Sequence, residues 1–137
     1  MGAKYVQFKA SAATGASSGT AVGEEDNMHG LSMGTVAVVV SAVSGTSPPL
    51  DVYVQSSWDG GTNWYDIAAS TQLTAASANL IPISSQGAPS APFNGTSGTQ
   101  TASTAKTMKW GDRLRLFYKV GGSDTPTVTW HAEAWFA

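Results

Sequence analysis

Two stretches of the sequence decide the fold: Asp112-Arg-Leu-Arg-Leu-Phe-Tyr-Lys-Val120 and Thr127-Val-Thr-Trp-His-Ala-Glu-Ala-Trp-Phe136. In both, apolar and polar residues alternate, which is typical of a β-strand with one buried face. The turn residues Gly121-Gly-Ser-Asp124 separate the two stretches. The pattern therefore predicts a hairpin of two long strands.

Similar strand signals recur in five segments upstream. They are the strands predicted at residues 4–9, 31–43, 50–56, 63–68 and 80–83. Pro82 cannot donate to a central ladder, so the last of these strands is expected at a sheet edge. No window shows a helical period over three turns. The sequence thus predicts an all-β fold, an antiparallel β-sandwich or jelly roll with long loops, and the choice between these topologies stays open.

Composition narrows the functional classes. The chain has 137 residues and no cysteine, so it has the length of one domain and can form neither a disulfide nor a thiolate metal site. Its net charge is −2, and charged residues make up only 12%. No broad basic field is present to attract nucleic acid or anionic lipid, and the longest apolar run, residues 36–40, is too short to span a bilayer. These features predict no nucleic-acid partner and no membrane partner.

So few charges also bear on how the surface is used. Charged residues are depleted in the cores of interfaces, so the composition is typical of a subunit covered by its neighbours. A neutral secreted domain is the alternative. Since closed symmetric rings are common among repeated subunits, the chain is predicted to self-associate, as a homotrimer.

The chain is predicted to have two parts: residues 1–30 as an N-terminal strand and an extended arm, and residues 31–137 as the β-sandwich. Large apolar side chains are scarce in residues 10–30 and in the loop at 86–104. Ordering a backbone costs roughly 1–2 kcal/mol per residue, which so little apolar area cannot offset. Both segments are therefore predicted to be ordered by another chain.

The most specific local motif is Ser57-Trp-Asp-Gly-Gly-Thr-Asn-Trp64. It resembles the Asp-box, a β-hairpin motif of the form Ser-x-Asp-x-Gly-x-Thr-Trp, with Asn63 in place of the usual Thr. Asp59 is expected to accept backbone N–H bonds in its own turn, and Gly61 to supply a positive φ. Sialidase propellers repeat this motif once per blade, whereas a single copy is present here. We interpret the residues Ser57, Asp59, Gly61 and Trp64 as a structural turn and not as part of a glycosidase.

No catalytic residue can be assigned from the sequence. Several carboxylates are scattered without forming an obvious acid–base pair, namely Asp51, Asp59, Asp66, Asp112, Asp124 and Glu133. The two histidines, His29 and His131, accompany no Gly-x-Ser-x-Gly nucleophile motif, and their spacing does not indicate a metal site. We therefore predict that the chain is not an enzyme and that it binds neither a cofactor nor a metal.

Tryptophan and basic residues supply the candidate interface. Trp130 shares a face with Val128 and is expected in the core, whereas Trp58 and Trp135 are expected to expose their rings. Such rings can anchor a protein partner or stack on a sugar. The remaining candidates share the polar face of one strand, where they are expected either to meet an acidic neighbour or to form a solvated edge: Arg113, Arg115 and Lys119.

The order of these segments resembles small β-sandwich proteins encoded among the structural genes of tailed phages. The resemblance covers about residues 35–136. It is carried by the valine-rich strand at 35–43, Leu-Asp-Val-Tyr-Val-Gln at 50–55, the motif at 57–67, and the segments at 113–122 and 125–130.

The resemblance implies a virion structural protein. The expected role is capsid decoration, in which the chain acts as a cement protein on the capsid surface and binds a major capsid protein. A neck or tail component is an alternative position in the particle. A carbohydrate- or receptor-binding module is the alternative from a different class, and it would use Trp58, Trp135 and neighbouring loops.

Overall fold

The computed structural model describes residues 3–28, 30–46 and 48–137. Within these ranges the chain forms nine β-strands and no α-helix, so none of these segments is a helix that could cross a membrane. The strands are β1 (Lys4–Gly15), β2 (Ser17–Glu25), β3 (Met33–Thr46), β4 (Leu50–Ser57), β5 (Tyr65–Ala69), β6 (Ser77–Ser84), β7 (Thr104–Ala105), β8 (Arg113–Val120) and β9 (Ser123–Phe136).

The strands form two antiparallel sheets that pack face to face, which confirms the all-β prediction and gives a β-sandwich. The four-stranded sheet has the order β1-β9-β3-β6, and the five-stranded sheet has the order β2-β8-β4-β5-β7. Alternate side chains of each sheet point inward and fill the core. The largest buried side chains are those of Trp110, Trp130, Phe136, Met28 and Leu50, of which Trp110 and Met28 come from segments between strands. Burying each such side chain contributes roughly 1.5–3 kcal/mol.

The predicted C-terminal hairpin is wrong. β8 pairs with β2 and β4 in the five-stranded sheet, whereas β9 pairs with β1 and β3 in the four-stranded sheet. The turn at Gly121 and Gly122 thus carries the chain from one sheet to the other. The alternation of apolar and polar residues predicted the buried face of each strand correctly. The same alternation occurs whether two successive strands pair in one hairpin or face each other from opposite sheets, so it could not distinguish the two arrangements.

The expected arm at residues 10–30 is also wrong for most of its length. The strand predicted at 4–9 continues to Gly15 and pairs with β9, and after one residue the chain enters β2, which pairs with β8. Both are edge strands. Backbone ladder bonds hold them there, and these bonds require no large apolar side chains.

Two local predictions are confirmed. β4 and β5 form a hairpin with Gln55 opposite Asp66, and β6 lies at the edge of the four-stranded sheet with Pro82 opposite Thr35. The prolyl nitrogen therefore leaves no gap in an inner ladder.

The loop between β6 and β7, residues 85–103, packs on the outer face of the five-stranded sheet. The buried carboxylate of Asp66 is one of the groups that hold it there. This group accepts hydrogen bonds from the backbone N–H groups of Gly98, Thr99 and Gln100 at 3.0, 2.8 and 3.1 Å. These charge-assisted hydrogen bonds give the loop anchors within its own chain in place of apolar contacts, and its ordering by a neighbouring chain stays a prediction.

Candidate functional site

The motif at residues 57–64 forms a closed network of hydrogen bonds in the β4–β5 turn. The Ser57 hydroxyl donates to Asp59 Oδ1 at 2.9 Å and accepts the N–H of Gly61 at 2.9 Å. The Asp59 carboxylate also accepts the backbone N–H and the side-chain amide of Asn63, at 2.9 and 2.6 Å. The indole of Trp64 donates to the Gly61 carbonyl at 2.9 Å. Asn63 therefore contributes a second donor at the position where the motif usually has threonine.

This network makes the turn sensitive to acid. The hydrogen bonds that Asp59 accepts, above all from the backbone N–H of Asn63, lower its pKa from 3.8 to about 2. A group whose pKa is lower in the folded state adds stability above its unfolded pKa, and that stability is lost as the pH falls through the folded value. We expect the gap in melting temperature between the native protein and Asp59→Ala to be full above about pH 5 and to shrink steadily towards pH 2. A gap that stays constant over this range would contradict the assignment.

Gly61 is predicted to tolerate no β-branched residue. Its φ is +95°, and an added Cβ would lie 3.1 Å from Oε1 of Glu24. Gly61→Val is expected to lower the free energy of unfolding by about 1–3 kcal/mol, because valine is strained at positive φ. Thr62→Val, an exposed position of the same turn, is the control and should change stability by less than about 0.5 kcal/mol. Equal melting temperatures for the native protein and Gly61→Val would show that the turn is built differently.

The two tryptophans predicted to be exposed are exposed, and they lie on different surfaces. Trp58 is 46% exposed and follows β4, whereas Trp135 is 62% exposed and lies near the end of β9 in the other sheet. The core position predicted for Trp130 is confirmed. The candidate interface residues thus belong to two separate sites.

The first site is the outer side of the four-stranded sheet. We use the term outer apolar face for its exposed large apolar residues, Tyr5, Met33, Leu80 and Trp135. Tyr5 and Thr35 flank Trp135 on the two neighbouring strands, and the Tyr5 and Trp135 rings are 5.0 Å apart. A cavity of about 410 Å³ lies beside Trp135 and Met33. Exposed apolar side chains that share one surface can mark an interaction site.

Few ionisable groups border this face. Glu133 lies on β9 next to Trp135 in the outward row, where the Tyr5 hydroxyl donates to its Oε2 at 3.4 Å and His131 Nε2 lies 3.7 Å from its Oε1. The carboxylate of Glu133 thus has partners within the chain. A surface that covers this face would have little charge to desolvate.

The second site is an aromatic groove of about 620 Å³ beside the β4–β5 hairpin. One wall consists of Trp58 and Tyr65, whose rings are 6.2 Å apart and inclined by 49°. The opposite wall is the segment 90–95, which includes Phe93. The sequence predicted the exposure of Trp58 but not this groove, since its second wall comes from a loop about 30 residues away.

The three predicted basic interface residues share the outward face of β8, as expected, but each has a partner within the chain. The partners are Glu24 for Arg113, Gln55 and the Trp64 ring for Arg115, and the Gly98 carbonyl for Lys119. Arg115 lies 4.3 Å above the Trp64 ring, and Lys119 donates to Gly98 at 2.6 Å. These side chains therefore fasten the hairpin, β2 and the covering loop, and a role towards an acidic neighbour stays a prediction.

The scattered carboxylates gain one structural role that the sequence did not reveal. Asp66 joins the hairpin to the covering loop, since it also accepts the Gln55 amide at 2.8 Å. A carboxylate on a strand, opposite a glutamine, was the only signal available. His29 lies outside the described residues. Among the described residues, no group of three His, Asp or Glu side chains is placed to hold a metal ion.

The candidate sites are therefore an apolar sheet face and an aromatic groove, on opposite sheets of the sandwich. Their function has to be inferred from their own geometry. Comparisons of the chain with models of protein families, with curated proteins and with solved structures found no match.

Proposed function

We propose that this chain is a structural subunit of a tailed-phage particle, with no enzymatic activity, and that it decorates and stabilises the capsid shell. One observation carries the proposal: four large apolar side chains, those of Tyr5, Met33, Leu80 and Trp135, are exposed on the four strands of one sheet, and the Tyr5 and Trp135 rings are in contact. The outer side of an antiparallel sheet is normally polar when it faces water. An apolar outer side is expected in a subunit whose function is to bind other protein chains through that surface.

The low charge of the chain supports the same role. Charged residues make up 12% of the sequence, and the outward rows beside Trp135 carry Glu133 and His131 as their ionisable groups. Interface cores are poor in charge and rich in aromatic residues and methionine. The resemblance to phage structural proteins adds the kind of assembly, and the major capsid protein and further copies of this chain are the proposed partners.

Self-association is the first consequence to test, and we predict a homotrimer. Sedimentation of the purified chain should give three times the monomer mass, and Trp135→Glu and Leu80→Glu should each give monomers, because a charge would be buried in the interface. Trp58→Glu is the matched control: it places the same charge on an aromatic residue of the other sheet and should leave the trimer intact. A native chain that stays monomeric, or a trimer that both face variants leave unchanged, would contradict this use of the face.

Binding to the shell needs a separate experiment. The chain is co-expressed with the major capsid protein encoded in its own gene neighbourhood, and assembled shells are purified by sedimentation and imaged by electron cryo-microscopy. We expect the chain to sediment with the shells and to appear as regular surface density, and Trp135→Glu to reduce its occupancy. Shells without the chain, or a gene neighbourhood that encodes no capsid protein, would overturn the proposed role.

A further inference from the structure

The aromatic groove does not share its lining residues with the outer apolar face, so it needs a separate explanation. Its volume of about 620 Å³ lies within the roughly 300–1,000 Å³ range of small-ligand pockets. Trp58 and Tyr65 are 46% and 43% exposed, although large aromatic side chains are usually covered. The ammonium group of Lys106 lies over one side of the Phe93 ring at 4.8 Å. The two rings of the groove that are largely exposed are those of Trp58 and Tyr65.

The groove is formed before any ligand arrives. Its loop wall is fixed at one end by the N–H of Asp66, which donates to the Gly95 carbonyl at 2.7 Å. At the other end, Ser90 donates its N–H to the Thr107 carbonyl, and its hydroxyl accepts the Thr107 N–H, both at 2.9 Å. A Cβ at Gly95 would lie 2.8 Å from the Cβ of Tyr65, so the wall fits the hairpin closely. A preformed site avoids the entropic cost of ordering on binding.

The residues that line the groove offer no free charge to a ligand. Asp66 is the only acidic or basic residue among them, and both oxygens of its carboxylate accept hydrogen bonds from within the chain. The Lys106 ammonium lies over the Phe93 ring, and Lys106 does not line the groove. The other side-chain polar groups of the lining are neutral: the Ser90 hydroxyl, the exposed Asn94 amide, the Tyr65 hydroxyl and the Trp58 indole N–H. An ion would lose its hydration here without gaining a counter-charge, so anions and cations are disfavoured.

A ligand for this site must therefore be neutral, present an apolar face to two inclined rings, and carry hydroxyl groups at its edge. A pyranose sugar has this combination, since one side of its ring consists of C–H groups and its rim consists of hydroxyls. From the groove we infer that this chain binds a neutral carbohydrate, with one sugar ring packed on Trp58 and Tyr65 and its hydroxyls directed towards Asn94 and Ser90. This inference is independent of the proposed assembly role, because the two sites share none of these residues.

The test is a glycan microarray that contains neutral and anionic oligosaccharides, probed with the full chain and followed by calorimetry with the neutral glycan that binds best. We expect binding to neutral glycans. Trp58→Ala should weaken the measured affinity by at least about tenfold, as the loss of an aromatic anchor does, and Trp58→Phe should recover part of it. Trp135→Ala is the matched control, an exposed tryptophan outside the groove, and should leave the affinity per chain unchanged.

Three results would overturn the inference: no glycan bound, binding to anionic glycans alone, or binding that Trp58→Ala leaves within about twofold of the native value. Thermal melts of the variants show whether they are folded, and Asn94→Ala provides a second probe at an exposed residue whose loss should also weaken binding. This test is independent of the assembly test. Trp58→Ala should leave the sedimentation of the protein unchanged, and Trp135→Glu should leave the glycan affinity per chain unchanged.

Discussion

Asp66→Ala is expected to remove a large part of the stability of this protein. The substitution leaves the N–H groups of Gly98, Thr99 and Gln100 and the amide of Gln55 without their buried acceptor. Each unsatisfied buried donor costs about 1–3 kcal/mol, and water will reach some of them once the loop loosens. We expect a net loss of about 2–4 kcal/mol in the free energy of unfolding, against a typical total of roughly 5–15 kcal/mol.

Denaturant titration measures this loss, and hydrogen exchange shows where it acts. The amides of residues 98–100 should exchange much faster in Asp66→Ala than in the native protein. The exchange rates of the β9 amides should change only as much as the loss of global stability requires. Asp51→Ala is the control, because Asp51 lies on the same sheet and its carboxylate accepts hydrogen bonds from the exposed Gln72 side chain. Similar losses for the two variants would mean that Asp66 does not hold the loop.

Gly111→Ala is expected to destabilise the protein strongly. An added Cβ would lie 1.9 Å from the carbonyl oxygen of Ser57 and 2.6 Å from its carbonyl carbon. Both are backbone atoms at the end of β4, so no side chain can rotate away. The N–H of Gly111 also donates to the buried hydroxyl of Ser56 at 2.8 Å, which fixes its position. Relief requires a backbone shift, for which we expect a cost of at least about 1–3 kcal/mol.

A glycine in open space gives the comparison for this variant. At Gly15 the nearest atom to an added Cβ is the Pro126 carbonyl oxygen at 4.0 Å, so Gly15→Ala should change stability by less than about 0.5 kcal/mol. Thermal melts of both variants decide the matter. A melting temperature for Gly111→Ala as high as that of Gly15→Ala would disprove the close packing of residue 111 against β4.

Local features of the fold could be predicted from the sequence, and pairings between distant segments could not. Alternation identified the buried faces of β8 and β9, and the residues of the Asp-box motif located the β4–β5 turn, because a turn is built by neighbours in sequence. The same alternation does not indicate which sheet a strand joins. This is why β8 and β9 were expected to form one hairpin and instead lie in opposite sheets.

The edge strands and the groove were missed for related reasons. Residues 10–23 carry mostly small side chains, and their backbone pairs with β8 and β9. Amino-acid composition does not indicate such backbone pairing. Trp58 was recognised as an exposed ring, but its partners in the groove come from the loop at 90–95, which Asp66 positions through space. The exposure of Trp58 can be predicted from its own segment, whereas the groove depends on a loop that the buried Asp66 carboxylate helps to position.

The order of strands in the four-stranded sheet has a consequence for synthesis of the protein on the ribosome. β9 lies between β1 and β3, so residues 123–136 complete a sheet whose other members are made first. Translation proceeds at about 5–20 residues per second, so the edges of β1 and β3 that pair with β9 stay unpaired for several seconds before β9 is made. Such long-range pairing also folds slowly, within about milliseconds to seconds. The surface that carries Tyr5, Met33, Leu80 and Trp135 is therefore complete only after residues 123–136 have been made, which delays partner binding through this surface until then.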